Sequence, residues 1–524
     1  MIQKRFSKKK SQVGPQWEVD VLYDAIAEMH GAMAEGELAV VFSRLRSMMS
    51  ALDGPLLIGT GCSGSDLVVL ALHRMCRYWE ETMGVRIVVS HQFSVENVEW
   101  KRKFIADNLS PQYLFKDMAQ MCQDRLFDTI SDSWVSIRSP HVFVCGIECD
   151  SVSSCSVHSS ENRDCVKSST GATGESADAS LRFIAKFKPL LVCFENVKNL
   201  DAQSTQDNTP SNKVAILEQL TKLGYETCDM LLSSLDYGTA QRRPRIYVAA
   251  FRHDQAMTEG KPIVPSDMQR VPQRVKNMRI AHKDISAFLL PAGDANLVAW
   301  LAGRRAKASE KAGKVAAGQQ GQDGAPSKQQ RTKVERDKWR TDHLEAFSAH
   351  KVEWPPKIPD EFEEKLAGCP QRMKEIAWLS HLLAEHGDGK ERCTDLNMSI
   401  SWGGGDSVGF TPCIICSSTI FLARRCRVLW GIEAMTLQMW PGASSLEQYG
   451  HEKLMDLAGN AFTGGCVAAV LIALLTSQNW SSQHFKHFHA LAAVHAKPGP
   501  TGDATDDALI GSDEDDGTDE SETS

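Results

Sequence analysis

Several residues in this chain have the type and spacing for chemistry on a nucleotide-like ligand. Ile58-Gly-Thr-Gly-Cys-Ser-Gly64 joins an apolar run to a helical stretch, and Gly59, Gly61 and Gly64 let backbone approach a ligand whose polar groups meet a helix N-terminus. Glu96 closes the next apolar run, where an acidic residue accepts hydrogen bonds from ribose hydroxyls. Asp117, just after Leu114 and Phe115, is placed to take an amino group of the ligand's base. A loop then holds Cys145 and Cys149, with Cys155 and Cys165 nearby; a thiolate is favoured there close to basic groups, and composition does not choose among the four. Glu195 ends the apolar run from Leu190, where partial desolvation raises a carboxylic acid towards a useful proton donor. In Gln241-Arg-Arg-Pro-Arg245 an extended chain puts Arg243 and Arg245 on one face and Arg242 on the other, a pattern suited to phosphate or carbonyl recognition. Cys413-Ile-Ile-Cys416 lacks a second ligand pair, so no metal site is expected.

These residues need a scaffold, and the chain supplies short apolar runs alternating with helical stretches. The runs begin at Pro55, Val85, His141, Leu190 and Arg245; helical periodicity covers Val19 to Met49, Asp66 to Tyr78, Leu181 to Phe187 and Val214 to Leu223. Buried strands alternating with helices predict an α/β fold, Rossmann-like, with a mostly parallel sheet covered on both faces. The expected division is a basic, helical segment 1–50, a catalytic part 51–255, a region 256–425 with a flexible basic insertion 303–333, a C-terminal part 426–496 that completes the catalytic part, and a disordered acidic tail 497–524. A last apolar helix is expected from Gly464 to Ser477.

The 524 residues are 42% hydrophobic and 24% charged, the balance of a soluble globular chain. The apolar run Cys466 to Thr476 is short of the ~20 residues that cross a bilayer, and the basic start has no apolar core of a secretory signal, so no membrane partner is expected. Net charge is −8, yet the last 24 residues hold ten acidic groups and no Lys or Arg; without those ten charges the remainder carries +2, compatible with a polyanionic substrate. Fifteen scattered cysteines indicate reduced thiols inside a cell, and Lys8-Lys9-Lys10 points to the nucleus.

Taken in order, the motifs resemble the C5-cytosine methyltransferase family, which uses S-adenosylmethionine. Gly59, Gly61 and Gly64 look like its first motif, and Glu96 and Asp117 fall where its ribose and adenine contacts lie. Gly146 to Ser153 resembles the nucleophile motif Gly-Pro-Pro-Cys-Gln-x-x-Ser, which assigns Cys149. Glu195-Asn196-Val197 matches Glu-Asn-Val, and Gln241-x-Arg243-x-Arg245 matches Gln-x-Arg-x-Arg. Arg427 to Pro441 resembles the ninth motif, and Gly459-Asn460-Ala461 the tenth, a cofactor contact. The resemblance implies a class I fold with a smaller, irregular target-recognition domain within 256–425. It also implies double-stranded DNA as partner, S-adenosyl-L-methionine as cofactor, Cys149, Glu195, Arg243 and Arg245 as catalytic residues, and Gly59, Gly61, Gly64, Glu96, Asp117 and Asn460 as cofactor contacts. Glu148 and Asp150 replace the family's Pro and Gln, which sets two carboxylates beside the thiol and loosens its loop. The same motifs occur in a branch acting on transfer RNA, which is the second reading; a DNA-binding protein with the fold but impaired chemistry is the third.

Overall fold

The computed structural model describes residues 20–154, 164–203, 210–252, 267–316, 333–442, 445–482 and 484–485. Nine strands form its first half: β1 (Leu56–Gly61), β2 (Val89–Val95), β3 (Tyr113–Phe115), β4 (Leu126–Asp128), β5 (Ser133–Val135), β6 (Val142–Gly146), β7 (Leu191–Val197), β8 (Tyr225–Ser233) and β9 (Pro244–Arg252). Seven of them make one sheet in the order β3-β2-β1-β6-β7-β9-β8, while β4 and β5 pair as a separate hairpin. From β3 to β7 all neighbours run parallel; β9 is antiparallel to both β7 and β8. The chain order reverses between β1 and β6, and a doubly wound sheet opens a crevice at the carboxyl ends of its strands at such a switch point.

Alternation along the central strands explains the two helical layers. Val142, Val144, Leu191 and Cys193 face a core shared with helices Val21–Ala32, Leu67–Met83 and Gly464–Leu475. Phe143, Cys145, Val192 and Phe194 face a second core built with helices Gly171–Phe187 and Asn212–Lys222. Because both faces are covered, these strands read as unbroken apolar runs. Strand β8 was not expected from the sequence: Glu226, Thr227 and Asp229 break its apolar pattern, as an edge strand with one neighbour allows.

The expected segment 1–50 is no separate unit over its described residues. Its single helical stretch is two helices, Val21–Ala32 and Glu35–Ala51, with extended backbone at Met33 and Ala34 between them. Arg44 donates to Thr476 O at 2.6 Å and Ser47 Oγ accepts from Trp480 N at 3.0 Å, which joins this segment to the C-terminal helix. That helix, with the one before it, makes the stretch His451–Leu475, apolar enough by length and composition to cross a bilayer; 94% of its most apolar 18-residue window is buried inside the fold.

The insertion 303–333 also differs from expectation. A helix runs from Ala295 to Ala316 and another from Lys333 to Ala349, leaving 317–332 outside the described residues. Alanine, lysine and arginine hold a helix by intrinsic propensity, and this one is anchored where Trp300 stacks on Trp430 at 5.6 Å. The region 256–425 is more regular than expected. Strands β10 (Arg392–Asp395), β11 (Asp406–Val408), β12 (Ile420–Leu422) and β13 (Arg427–Val428) form an antiparallel sheet in the order β11-β10-β12-β13. Phe362, Ile376 and Phe421 lie in its own small core. The acidic tail 497–524 and Lys8 to Lys10 lie outside the described residues.

Candidate active site

A cavity of about 670 Å³ opens at the carboxyl ends of β1, β2, β6 and β7. Of the ten residues assigned from the sequence, Cys149, Glu195, Arg243, Arg245, Gly64, Glu96, Asp117 and Asn460 line it. Gly59 and Gly61 do not. A Cβ on Gly59 would fall 2.2 Å from the Phe93 ring, and one on Gly61 would meet Met118 Sδ at 3.0 Å and Cys145 Sγ at 3.1 Å. The side chains packed against β1 are enough to require glycine at both positions.

The turn after β1 is shaped from below. Asp66 sits at φ +59° and is 1% exposed. It accepts from Thr60 Oγ1 at 3.1 Å and from Ser94 Oγ, and His91 Nε2 lies 3.3 Å away. Gly64, at φ +56°, donates its N–H to Glu96 Oε2 at 2.8 Å, and Val98 N donates to Oε1 at 3.0 Å. Glu96 is thereby fixed at the end of β2. Burial pushes its carboxyl above the usual range, opposed by those two amides and by Lys101. Asp117 is exposed and caps the following turn by accepting from Ala119 N at 2.8 Å.

Opposite lies the thiol. Cys149 is half-buried in the loop after β6. The proline that the resemblance expects before it is absent, yet the loop is pinned. Asn196 Nδ2 donates to Ile147 O at 2.8 Å, Glu148 N donates to Ser176 Oγ at 3.1 Å, and Ser153 N donates to Cys149 O at 2.8 Å. Asn196 is thus a working residue that the sequence assignment left out; its place inside Glu-Asn-Val was the available signal. Burial pushes the Cys149 thiol up, with Glu195 and Asp150 pushing the same way, while Arg245 and Arg243 pull it down.

Glu195 lies near the carboxyl end of β7 and is 9% exposed. Arg245 Nε lies 3.2 Å from its Oε1, an ion pair without hydrogen-bond alignment, so this buried oxygen has no hydrogen-bond donor. Burial raises the Glu195 carboxyl and the two arginines oppose that shift. As expected, Arg242 turns away, over the Phe410 ring at 4.8 Å. Arg243 is spent on backbone: it donates to Ile414 O at 2.9 Å, Gly459 O at 2.9 Å and Ala461 O at 2.8 Å, leaving only Nε unpartnered.

Cys413-Ile-Ile-Cys416 forms part of a strap against this strand. Thr411 N donates to Ala240 O at 2.8 Å, Ile414 N to Gln241 Oε1 at 3.2 Å, and Cys413 Sγ lies 3.9 Å from both Arg243 Nη1 and Arg245 Nη2. Among the described residues no group of three His, Cys, Asp or Glu side chains could hold a metal ion.

The strand order, with its one reversed strand next to the edge, and the cavity at the switch point define a doubly wound α/β fold with a ligand-sized crevice at the carboxyl ends of its strands. Residues 173–364 match the model of the C-5 cytosine-specific DNA methylase family. The match includes Glu195, Arg243 and Arg245 and leaves Cys149 and the glycine turn outside it. The DNA (cytosine-5-)-methyltransferase DMT5 of Cryptococcus neoformans is 24% identical over 438 residues, 80% of this chain and 17% of that protein. The type II methyltransferase M.HaeII of Haemophilus aegyptius is 41% identical over 76 residues, 14% of this chain and 23% of that enzyme. The chain therefore spans less than a quarter of the length of either relative. Among solved structures, an Entamoeba histolytica methyltransferase covers 80% of this chain and 98% of its own, with 12% identity and a TM-score of 0.41.

Proposed function

We propose that the protein transfers a methyl group from S-adenosyl-L-methionine to C5 of a cytosine in double-stranded DNA, through a covalent adduct with Cys149. The observation that carries this reading is that Cys149, Glu195 and Arg245 line the same cavity as Glu96, Asp117, Gly64 and Asn460. The residues suit the donor. The volume lies in the range of small-molecule sites, Glu96 stands at the end of β2 for a ribose, and carboxylates of the lining match a cationic ligand. When bound, S-adenosyl-L-methionine supplies an electrophilic methyl group on a sulfonium.

C5 of cytosine is too weak a nucleophile to accept that methyl group unaided. The Cys149 thiolate adds to C6 and makes an enamine whose C5 carries the electron density. Glu195, whose carboxylic acid form burial favours, donates to N3 and stabilises the charge that develops on the ring. Arg245 orients Glu195, and Arg243 holds the Gly459–Ala461 turn at the cavity wall. A base then removes the C5 proton, and Cys149 leaves. A stacked base shows neither face to the thiol, so the cytosine is flipped out at a cost of a few kcal/mol, offset by contacts in the cavity and to phosphates. Lys8-Lys9-Lys10 supports placement in the nucleus.

Incubation with S-adenosylmethionine and a duplex containing 5-fluorocytosine should trap protein on DNA in a denaturant-stable complex, and Cys149→Ser should abolish it. Methyl transfer that survived this substitution undiminished would overturn the assignment. Transfer to RNA and not to DNA would replace the substrate.

A further inference from the structure

Helix Glu99–Leu109 starts three residues after Glu96, and its Lys101 is 7% exposed. A buried ammonium needs a partner. Lys101 finds one on a distant helix, His451–Asn460, where Asp456 Oδ2 lies 3.0 Å from Nζ. The other oxygen, Asp456 Oδ1, accepts from Asn460 Nδ2 at 2.9 Å. Lys101 and Asn460 both line the cavity, and Asn460 O lies 3.5 Å from where a Cβ on Gly64 would stand. Lys101 therefore ties the wall that carries Glu96 to the wall that carries Asn460. Arg243 holds the carbonyls on either side of Asn460 from the strap side. A methionine at position 101 would fill the same space without the desolvation cost, so packing alone gives no reason for a lysine.

We infer that Lys101, acting through Asp456 and Asn460, is a positioning residue that latches the two walls of the donor cavity together and sets donor affinity without taking part in methyl transfer. The inference rests on the reading that the cavity binds S-adenosylmethionine.

The test uses the full chain as wild type, Lys101→Met, Lys101→Arg, Asp456→Asn and the double variant Lys101→Met/Asp456→Asn. Affinity for S-adenosylhomocysteine is measured by calorimetry, and donor KM and kcat with labelled S-adenosylmethionine. Lys101→Met should weaken affinity and raise donor KM roughly tenfold while kcat at saturating donor stays within about twofold, since a shifted wall acts on binding. Lys101→Arg should recover most of the loss, and the double variant should be no worse than the poorer single one because both break one link. Unaltered affinity in Lys101→Met, a fall in kcat at constant KM, or additive losses would overturn the latch. Should Lys101→Met melt early without ligand, Asp456→Asn carries the same comparison. If wild type binds no S-adenosylhomocysteine, the donor reading fails and the latch with it. If wild type binds and Lys101→Met binds equally well, the latch alone fails.

Discussion

Cys149 and Glu195 are needed in opposite protonation states, and their surroundings favour only one of them. Glu195 must keep a proton while Cys149 loses one; burial raises both groups, which favours the carboxylic acid and opposes the thiolate. The pH profile should be bell-shaped, with its two limbs belonging to the thiol and the carboxyl as a pair. Asp150 sharpens the prediction, because its charge raises the thiol. Removing that charge favours the thiolate, so Asp150→Asn should raise the maximum of kcat/KM for DNA and move the limb that belongs to the thiol to lower pH; profiles of the two proteins decide it. Glu195→Gln should depress kcat by about 10²-fold or more with little effect on donor affinity, the scale for a lost proton donor. Equal losses of both would mark Glu195 as structural. Glu195, Arg243 and Arg245 were legible because their motifs are contiguous. Lys101 and Asp456 were not, since two charges so far apart in sequence give no sign that they meet.

Among the elements, the interior parallel strands were legible for one physical reason: burial on both faces leaves uninterrupted apolar runs. The glycine turn was legible as a turn but misleading in detail, because a glycine does not say what comes close to it. Phe93 packs over Gly59, so Gly59→Ala forces a ring and a methyl into one space and should lower the melting temperature by several degrees, for a loss of about 1–3 kcal/mol. Pairing it with Phe93→Leu should recover part of that loss; thermal melts of the three variants are the check. The strap leads to a separate expectation. Cys413 lies against both guanidiniums. Cys413→Ala should reduce kcat severalfold by loosening Arg245 beside Glu195 while leaving the thermal midpoint within about 2 °C, as at a half-exposed position. Unchanged kcat by steady-state assay would show that Arg245 is held from elsewhere.

The molecule as a whole sets a mostly buried α/β body beside a small antiparallel sheet with a core of its own. The helix Ala295–Ala316 bears Arg305 and Lys307 on exposed positions, whereas Arg304 turns onto Cys369 Sγ at 3.4 Å. If the exposed pair meets DNA phosphates, Arg305→Gln with Lys307→Gln should reduce the slope of log affinity against log salt by about two, whatever the DNA sequence. Titrations at several salt concentrations measure it. The small sheet was the least legible part, because strands of two to four residues are too short to show a period. Its junction with the body also sets a rule for anyone exchanging the region 256–425 between related chains. The boundary at 425 passes beyond Thr411 to Cys416, so a graft cut there would import a foreign buttress for Arg243 and inherit whatever alignment the donor's residues impose. Chimeras that keep the host's own 411–416 should stay active where the longer exchange goes silent.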